Sequence, residues 1–220
     1  MDPVALAAEL IAIDSINPSL AASGAGEREI AAFCAAWLDG HGFEVTVISA
    51  ERPSVVGVRR GSGGGRAIML NGHLDTVNVA DRGQLVPAIR EGRLYGRGAF
   101  DTKGGVAAIM VAAAQATLGS GDVIVTLVAD EEFGSRGTED VLAAYSADAA
   151  IVVEPSDLEL TLAHRGFAWF EIEVTGRAAH GSMPEQGIDA IAHADEEWAT
   201  TDSIEQLSLV LQRSIEDFCA

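Results

Sequence analysis

Apolar positions recur three and four residues apart over residues 4–13 and 27–39, the spacing of a single buried stripe on a helix. The second stretch runs into Gly40 and Gly42, placed as a helix C-cap. After it the period shortens. Residues 43–48, 54–59 and 66–71 form short β-rich runs, with the glycine-rich stretch 61–65 as a turn between the last two. Residues 102–118, rich in Ala and Val, predict a buried helix, and 123–129 predict an almost unbroken apolar strand covered on both faces. A helix over 138–145 and another buried strand over 149–153 follow. Strands and helices alternating between residues 43 and 154 imply an α/β domain of three layers, helix, sheet and helix.

Beyond Glu154 the pattern changes. Residues 159–163 and 167–175 read as longer strands, the second alternating through Glu171, Ile172, Glu173 and Val174 as a half-exposed sheet does. Helical spacing returns at 203–218, which leaves too short a stretch for a second domain. Repeats, low-complexity tracts and linkers are absent from the sequence.

A hydrophobic content of 48% supplies a sizeable core, yet no apolar run nears the roughly 20 residues of a membrane span. The N-terminus lacks the charged flank and cleavage site of a signal peptide, so the expected location is the cytoplasm, away from membranes. A net charge of −19, from 14 basic against 33 acidic residues, excludes nucleic acid as a partner, because phosphates need clustered Lys and Arg. Most of that acidity belongs to a solvated surface. Cys34, inside a predicted helix, and Cys219, near the end, form neither a metal-ligand spacing nor a disulfide framework.

The chemistry-bearing clusters fall at or just past the C-terminal ends of predicted strands, where open α/β sheets place their sites. His73 and Asp75 are two apart on extended chain and share a face, so the Asp would hold the imidazole while its other nitrogen binds metal. Asp101 lies in a glycine-rich loop that opens onto a helix, and taken alone it reads as an N-cap. Asp130, Glu131 and Glu132 follow a buried strand in succession, a costly packing of like charge unless water or a cation relieves it. Glu154 ends the next apolar strand in the same way. One His and several carboxylates on one sheet edge suit divalent metal.

The segments NGHLDTV (71–77), GRGAFDTKGG (96–105), ADEEFGS (129–135) and VVEP (152–155), followed by VTGRAAHGSMPEQGIDAI (174–191), resemble the ordered motifs of a metallo-amidohydrolase family. That family includes acetylornithine deacetylase, succinyl-diaminopimelate desuccinylase and glutamate carboxypeptidase. The resemblance implies a zinc-peptidase-like catalytic domain holding two divalent ions, zinc with cobalt as an alternative. It assigns His73 and Glu154 to one ion, Glu132 and His193 to the other, and Asp101 to both as a bridge. Asp75 becomes the partner of His73, and Glu131 the general base that takes a proton from the attacking water. The implied substrate is an N-acyl amino acid or dipeptide, cleaved at its amide bond.

Members of that family insert an α+β lid after the position of Glu154. Here Gly187 to Ile191, which resembles the start of the first lid helix, runs almost directly into His193 to Trp198, which resembles the terminal ligand segment. The junction near Ala192 therefore reads as an internal deletion. The expected domains are a catalytic part at 1–163, a lid remnant at 164–191 and a return to the catalytic domain at 192–220. His180 matches the lid histidine that stabilises the developing oxyanion, commonly across a homodimer interface that a shortened lid would weaken. The alternative is a metal-binding or partner-binding remnant without catalysis; a calcium module would leave His73 and His193 without purpose. His41 and His164 read as structural, and Arg97 and Lys103 as loop residues tuning charge near the site.

Overall fold

A computed structural model describes residues 1–156, 159, 161 and 162, which belong to one compact unit, Met1–Leu162. The strands and helix expected at 159–163, 167–175 and 203–218, the divisions at 164–191 and 192–220, and His164, His180 and His193 lie outside the described residues.

Helix α1 (Pro3–Ala12) starts with Pro in its first turn and with the Asp2 carboxylate accepting the Val4 N–H, two devices that satisfy or avoid unpaired amides. Its buried side is Leu6, Ala7, Leu10 and Ile11; that of α2 (Arg28–Gly40) is Ile30, Ala31, Cys34 and Leu38. Helix α2 closes as its glycines foretell: Gly42 adopts φ +81°, and the Phe43 N–H turns back onto the Leu38 carbonyl at 3.2 Å. Three strands follow, β1 (Glu44–Ile48), β2 (Ser54–Arg59) and β3 (Ile68–His73). A short hairpin, β4 (Ala88–Arg90) and β5 (Arg93–Tyr95), precedes α3 (Lys103–Gln115). The chain then forms β6 (Val123–Val128), α4 (Arg136–Ala144) and β7 (Ala149–Val152).

The main sheet runs β1-β2-β6-β3-β7, antiparallel through β1, β2 and β6 and parallel through β6, β3 and β7. Its two faces feed separate cores. Val55, Val123, Val125 and Leu127 pack with Leu10, Ile30, Leu38 and Met110 from α1, α2 and α3. Their neighbours Val56, Val58, Ile124 and Val128 pack with Val141 of α4. Alternate residues of one strand thus serve opposite sides, which makes the three layers and explains why all six residues of β6 are buried.

The structure corrects two expectations. The strand at 149–153 is not buried: every residue of β7 is exposed, Ile151 at 52% and Val152 at 59%, and among the described residues β3 is the only strand that pairs with it. The runs expected at 43–48 and 54–59 form β1 and β2, which pair directly as a hairpin. Lys103, expected in a loop, opens α3 and is wholly buried. Its ammonium donates to the Ile13 carbonyl at 2.7 Å, and burial pulls its pKa down to about 8 against the opposing pull of Asp14 and Cys34. The β4–β5 hairpin has no forecast in the sequence reading; Glu91 and Gly92 form its turn, both at positive φ. No helix among the described residues is long and apolar enough to cross a membrane.

Candidate metal centre

Register brings the chemistry together. His73, the last residue of β3, pairs with Val128 of β6, and Asn71 pairs with Val152 of β7. The chain beyond β6 therefore delivers Asp130, Glu131 and Glu132 beside His73, and two residues past Val152 Glu154 comes level with it on the other side. Asp101 arrives from the loop ahead of α3, and its peptide bond to Thr102 is cis. Gly72 suits this crossing: a Cβ there would stand 3.1 Å from Val106 and 3.2 Å from Val153.

His73 is 1% exposed and uses both ring nitrogens. Nδ1 lies 2.9 Å from the backbone carbonyl of Asp75, which accepts its proton and leaves Nε2 facing the carboxylates. Nε2 lies 2.9 Å from Asp101 Oδ1 and 3.8 Å from Glu131 Oε2. Two groups of donor atoms result, each within 4.8 Å of one another: His73, Asp101 and Glu132, and His73, Glu131 and Glu154. The adjacent Glu131 and Glu132 thus fall in different groups.

A neutral Nε2 and a carboxylate at 2.9 Å are both electron-pair donors, so the arrangement needs a proton or a cation between them. The titration behaviour has the same origin. Burial works to lower the His73 pKa, yet the Asp101 hydrogen bond and the charges of Asp75, Glu131 and Glu154 outweigh it and lift it to about 9. Glu132 is pushed up to about 7, by burial and then by the charge of Asp101. One imidazole and four carboxylates short of positive charge are the donor set a hard or borderline divalent ion takes, and the residues fit it.

Asp75 acts otherwise than the sequence implies. Its carbonyl, not its carboxylate, holds the imidazole; Oδ1 stands 3.7 Å from Nδ1. The carboxylate accepts the backbone N–H of Glu131 at 3.0 Å, that of Glu132 at 3.1 Å, and the Asn17 amide at 2.7 Å. It is fully buried, and burial raises its pKa while His73 and these donors oppose the rise. Asp75 therefore anchors the loop that carries two of the candidate ligands.

Three further residues of this surround escape sequence reasoning. The Glu27 carboxylate is fully buried, accepts Arg52 Nε at 2.7 Å and receives the Asp130 N–H at 3.2 Å. Arg52 also reaches Asp130 Oδ1 at 3.1 Å. Asn17 and Arg52 carry no motif, and Glu27 reads simply as the start of a helix. Arg97 Nη2 donates to the Asn78 carbonyl at 2.8 Å and lines a separate cleft of about 360 Å³ with Asp81, Gln84, Arg90 and Tyr95. That cleft shares no residue with the carboxylate cluster.

The sequence model of Peptidase family M20/M25/M40 matches residues 69–210, from β3 past His193. The chain belongs to this peptidase family. Among curated M20-type relatives, it is 40% identical over 149 residues to an acetylornithine deacetylase of Myxococcus xanthus, covering 66% of this chain and 39% of the relative. It is 33% identical over 193 residues to carboxypeptidase G2 of Pseudomonas sp. (strain RS-16), covering 79% and 46%. The chain thus spans less than half the length of either. A solved M20 family metallo-carboxypeptidase from Sulfolobus solfataricus matches its fold with a TM-score of 0.59 at 22% identity, over 69% of this chain and 37% of that one.

Proposed function

We propose that this chain carries the dinuclear metal centre of a hydrolase that cleaves the amide bond of an N-acyl amino acid or small peptide. The observation that carries the reading is the convergence of His73, Asp101, Glu131, Glu132 and Glu154, from four separate segments, onto one edge of the parallel strands. In this reading His73 and Glu154 would hold one ion, Glu132 and His193 the other, and Asp101 would serve both. The ions are zinc, with cobalt able to replace it. When bound, such a pair supplies Lewis acidity to the scissile carbonyl and to the attacking water.

The chain's own residues do the rest. Glu131 accepts the proton of the attacking water and returns it to the departing amine; its carboxylate is 38% exposed and so remains open to solvent and substrate. Asp75 fixes the backbone of Glu131 and Glu132, so that one serves as base while the other serves as ligand. His180, on a lid remnant spanning 164–191, is the residue that would donate to the oxyanion across a homodimer interface, an arrangement the shortened lid weakens. The protein acts in the cytoplasm. With most of the lid lost at the junction near Ala192, turnover is weak and discriminates little among acyl groups. Loss of an oxyanion donor costs about 10²- to 10³-fold in rate, and loss of positioning can cost as much again.

Zinc content after dialysis, with turnover measured on acetyl, succinyl and formyl amino acids and on dipeptides, tests this. Two ions per chain with slow, unselective hydrolysis is the expected result. A fast, selective enzyme would overturn the reading of the junction, one ion per chain would assign the second site to the lost segment, and no ion would remove the metal centre altogether. The remnant reading predicts metal without turnover.

A further inference from the structure

Asn17 is fully buried, and each of its polar groups is in use. Its N–H donates to the Thr76 carbonyl at 2.9 Å, and its own carbonyl accepts from Leu20 and Ala21. Side-chain Oδ1 accepts the Ser19 N–H at 2.9 Å. That leaves Nδ2 with two hydrogens, and they go to two carboxylates: Asp75 Oδ2 at 2.7 Å and Asp130 Oδ1 at 3.1 Å. The amide orientation follows from the network, since carboxylates only accept and the Ser19 N–H only donates.

These two carboxylates frame the candidate ligands. Asp75 receives the backbone N–H groups of Glu131 and Glu132, while Asp130 directly precedes them. Asp130 sits at φ +61°, a left-handed conformation that costs a non-glycine residue free energy and persists only where its surroundings impose it. Buried carboxylates this close repel unless a donor is shared between them, and Asn17 is that donor. It is itself held firmly, because Ile16 bridges to Thr76 and Thr76 N–H donates to the Ser15 carbonyl at 3.1 Å.

We propose that Asn17 is a positioning residue of the metal centre: its amide ties Asp75 to Asp130 and so sets the backbone from which Glu131 and Glu132 project. The inference rests on the metal-centre reading above. It touches no substrate or ion itself. Its effect appears as weaker metal binding and altered ion geometry, of the 10- to 100-fold size typical for residues that orient ligands from behind.

The test compares wild type with N17A and N17D. Zinc affinity is read by competition with a chromophoric chelator, coordination geometry by the visible absorption of bound cobalt(II), and folding by thermal unfolding of the metal-free chain. Expected are 10- to 100-fold weaker zinc binding and a changed cobalt spectrum in N17A, with a larger loss in N17D, where a third carboxylate joins the pair. Should metal-free N17A fail to fold, N17A/D130N removes the unpaired charge; folding should return while zinc binding stays weak. Wild-type binding and spectrum in N17A, or in the double variant, would overturn the inference alone. A wild-type chain that takes up no zinc would remove the metal-centre reading and this inference with it.

Discussion

Strands β6 and β7 are both parallel to β3, both flank His73, and each leads into candidate ligands, yet they are built in opposite ways. All six residues of β6 are buried, and its exit loop is tied down by Asp75, Asn17, Glu27 and Arg52. All four residues of β7 are exposed, and among the described residues β7 is the last strand of the sheet. Identical topology thus yields one ligand segment that leaves a fully buried strand and another that leaves an exposed one. The difference follows position among the described residues: β6 has strands on both sides and helices on both faces, whereas β7 pairs there with β3 alone.

The largest effect expected from probing this comparison is at Glu131, after β6. E131A should abolish hydrolysis and leave metal content near that of wild type, because a general base is not consumed as a ligand, whereas D101A should lose both. Metal analysis beside a turnover assay decides it; loss of metal in E131A but not in E132A would reverse the division of labour between the neighbours.

Next in size is the core of β6. Leu127 is 0% exposed, and L127A should destabilise the fold by about 2–5 kcal/mol, read from the urea midpoint. A change under about 1 kcal/mol would mean that β6 is less essential than its burial indicates.

A smaller loss is expected at Arg52, whose side chain is 21% exposed beside the buried Glu27. R52A leaves that carboxylate without its cation and should cost about 1–3 kcal/mol, the figure for an unsatisfied buried group discounted for the solvent at Arg52. Unchanged stability in R52A would show that the Asp130 N–H alone satisfies Glu27.

The smallest effect belongs to β7. Ile151 is 52% exposed, and I151A should shift stability by no more than about 0.5 kcal/mol. A loss as large as that of L127A would reveal that β7 is covered in solution.

Much of this was readable from residues 1 to 156 as a string. Helices α1, α2 and α3 and the almost wholly apolar β6 follow from local periodicity, and His73, Asp101, Glu131, Glu132 and Glu154 stand out because residues at strand ends and in glycine-rich loops are local patterns too. The same string misjudged β7, since an apolar run of four or five residues reads alike in the centre of a sheet and at its edge, and only strand order separates them. Nor did it show that the Asp75 carboxylate holds the loop while its carbonyl holds the imidazole, a choice made by the backbone path after β3. Asn17 meets Asp75 and Asp130 across 58 and 113 residues of chain, and Glu27 meets Arg52 across 25. The sequence by itself determined which segments are apolar and which carry charge, because those are properties of each residue and its near neighbours. Tertiary structure alone decided which buried polar groups share a hydrogen bond, because burying a carboxylate is tolerable only where a donor from a distant segment meets it.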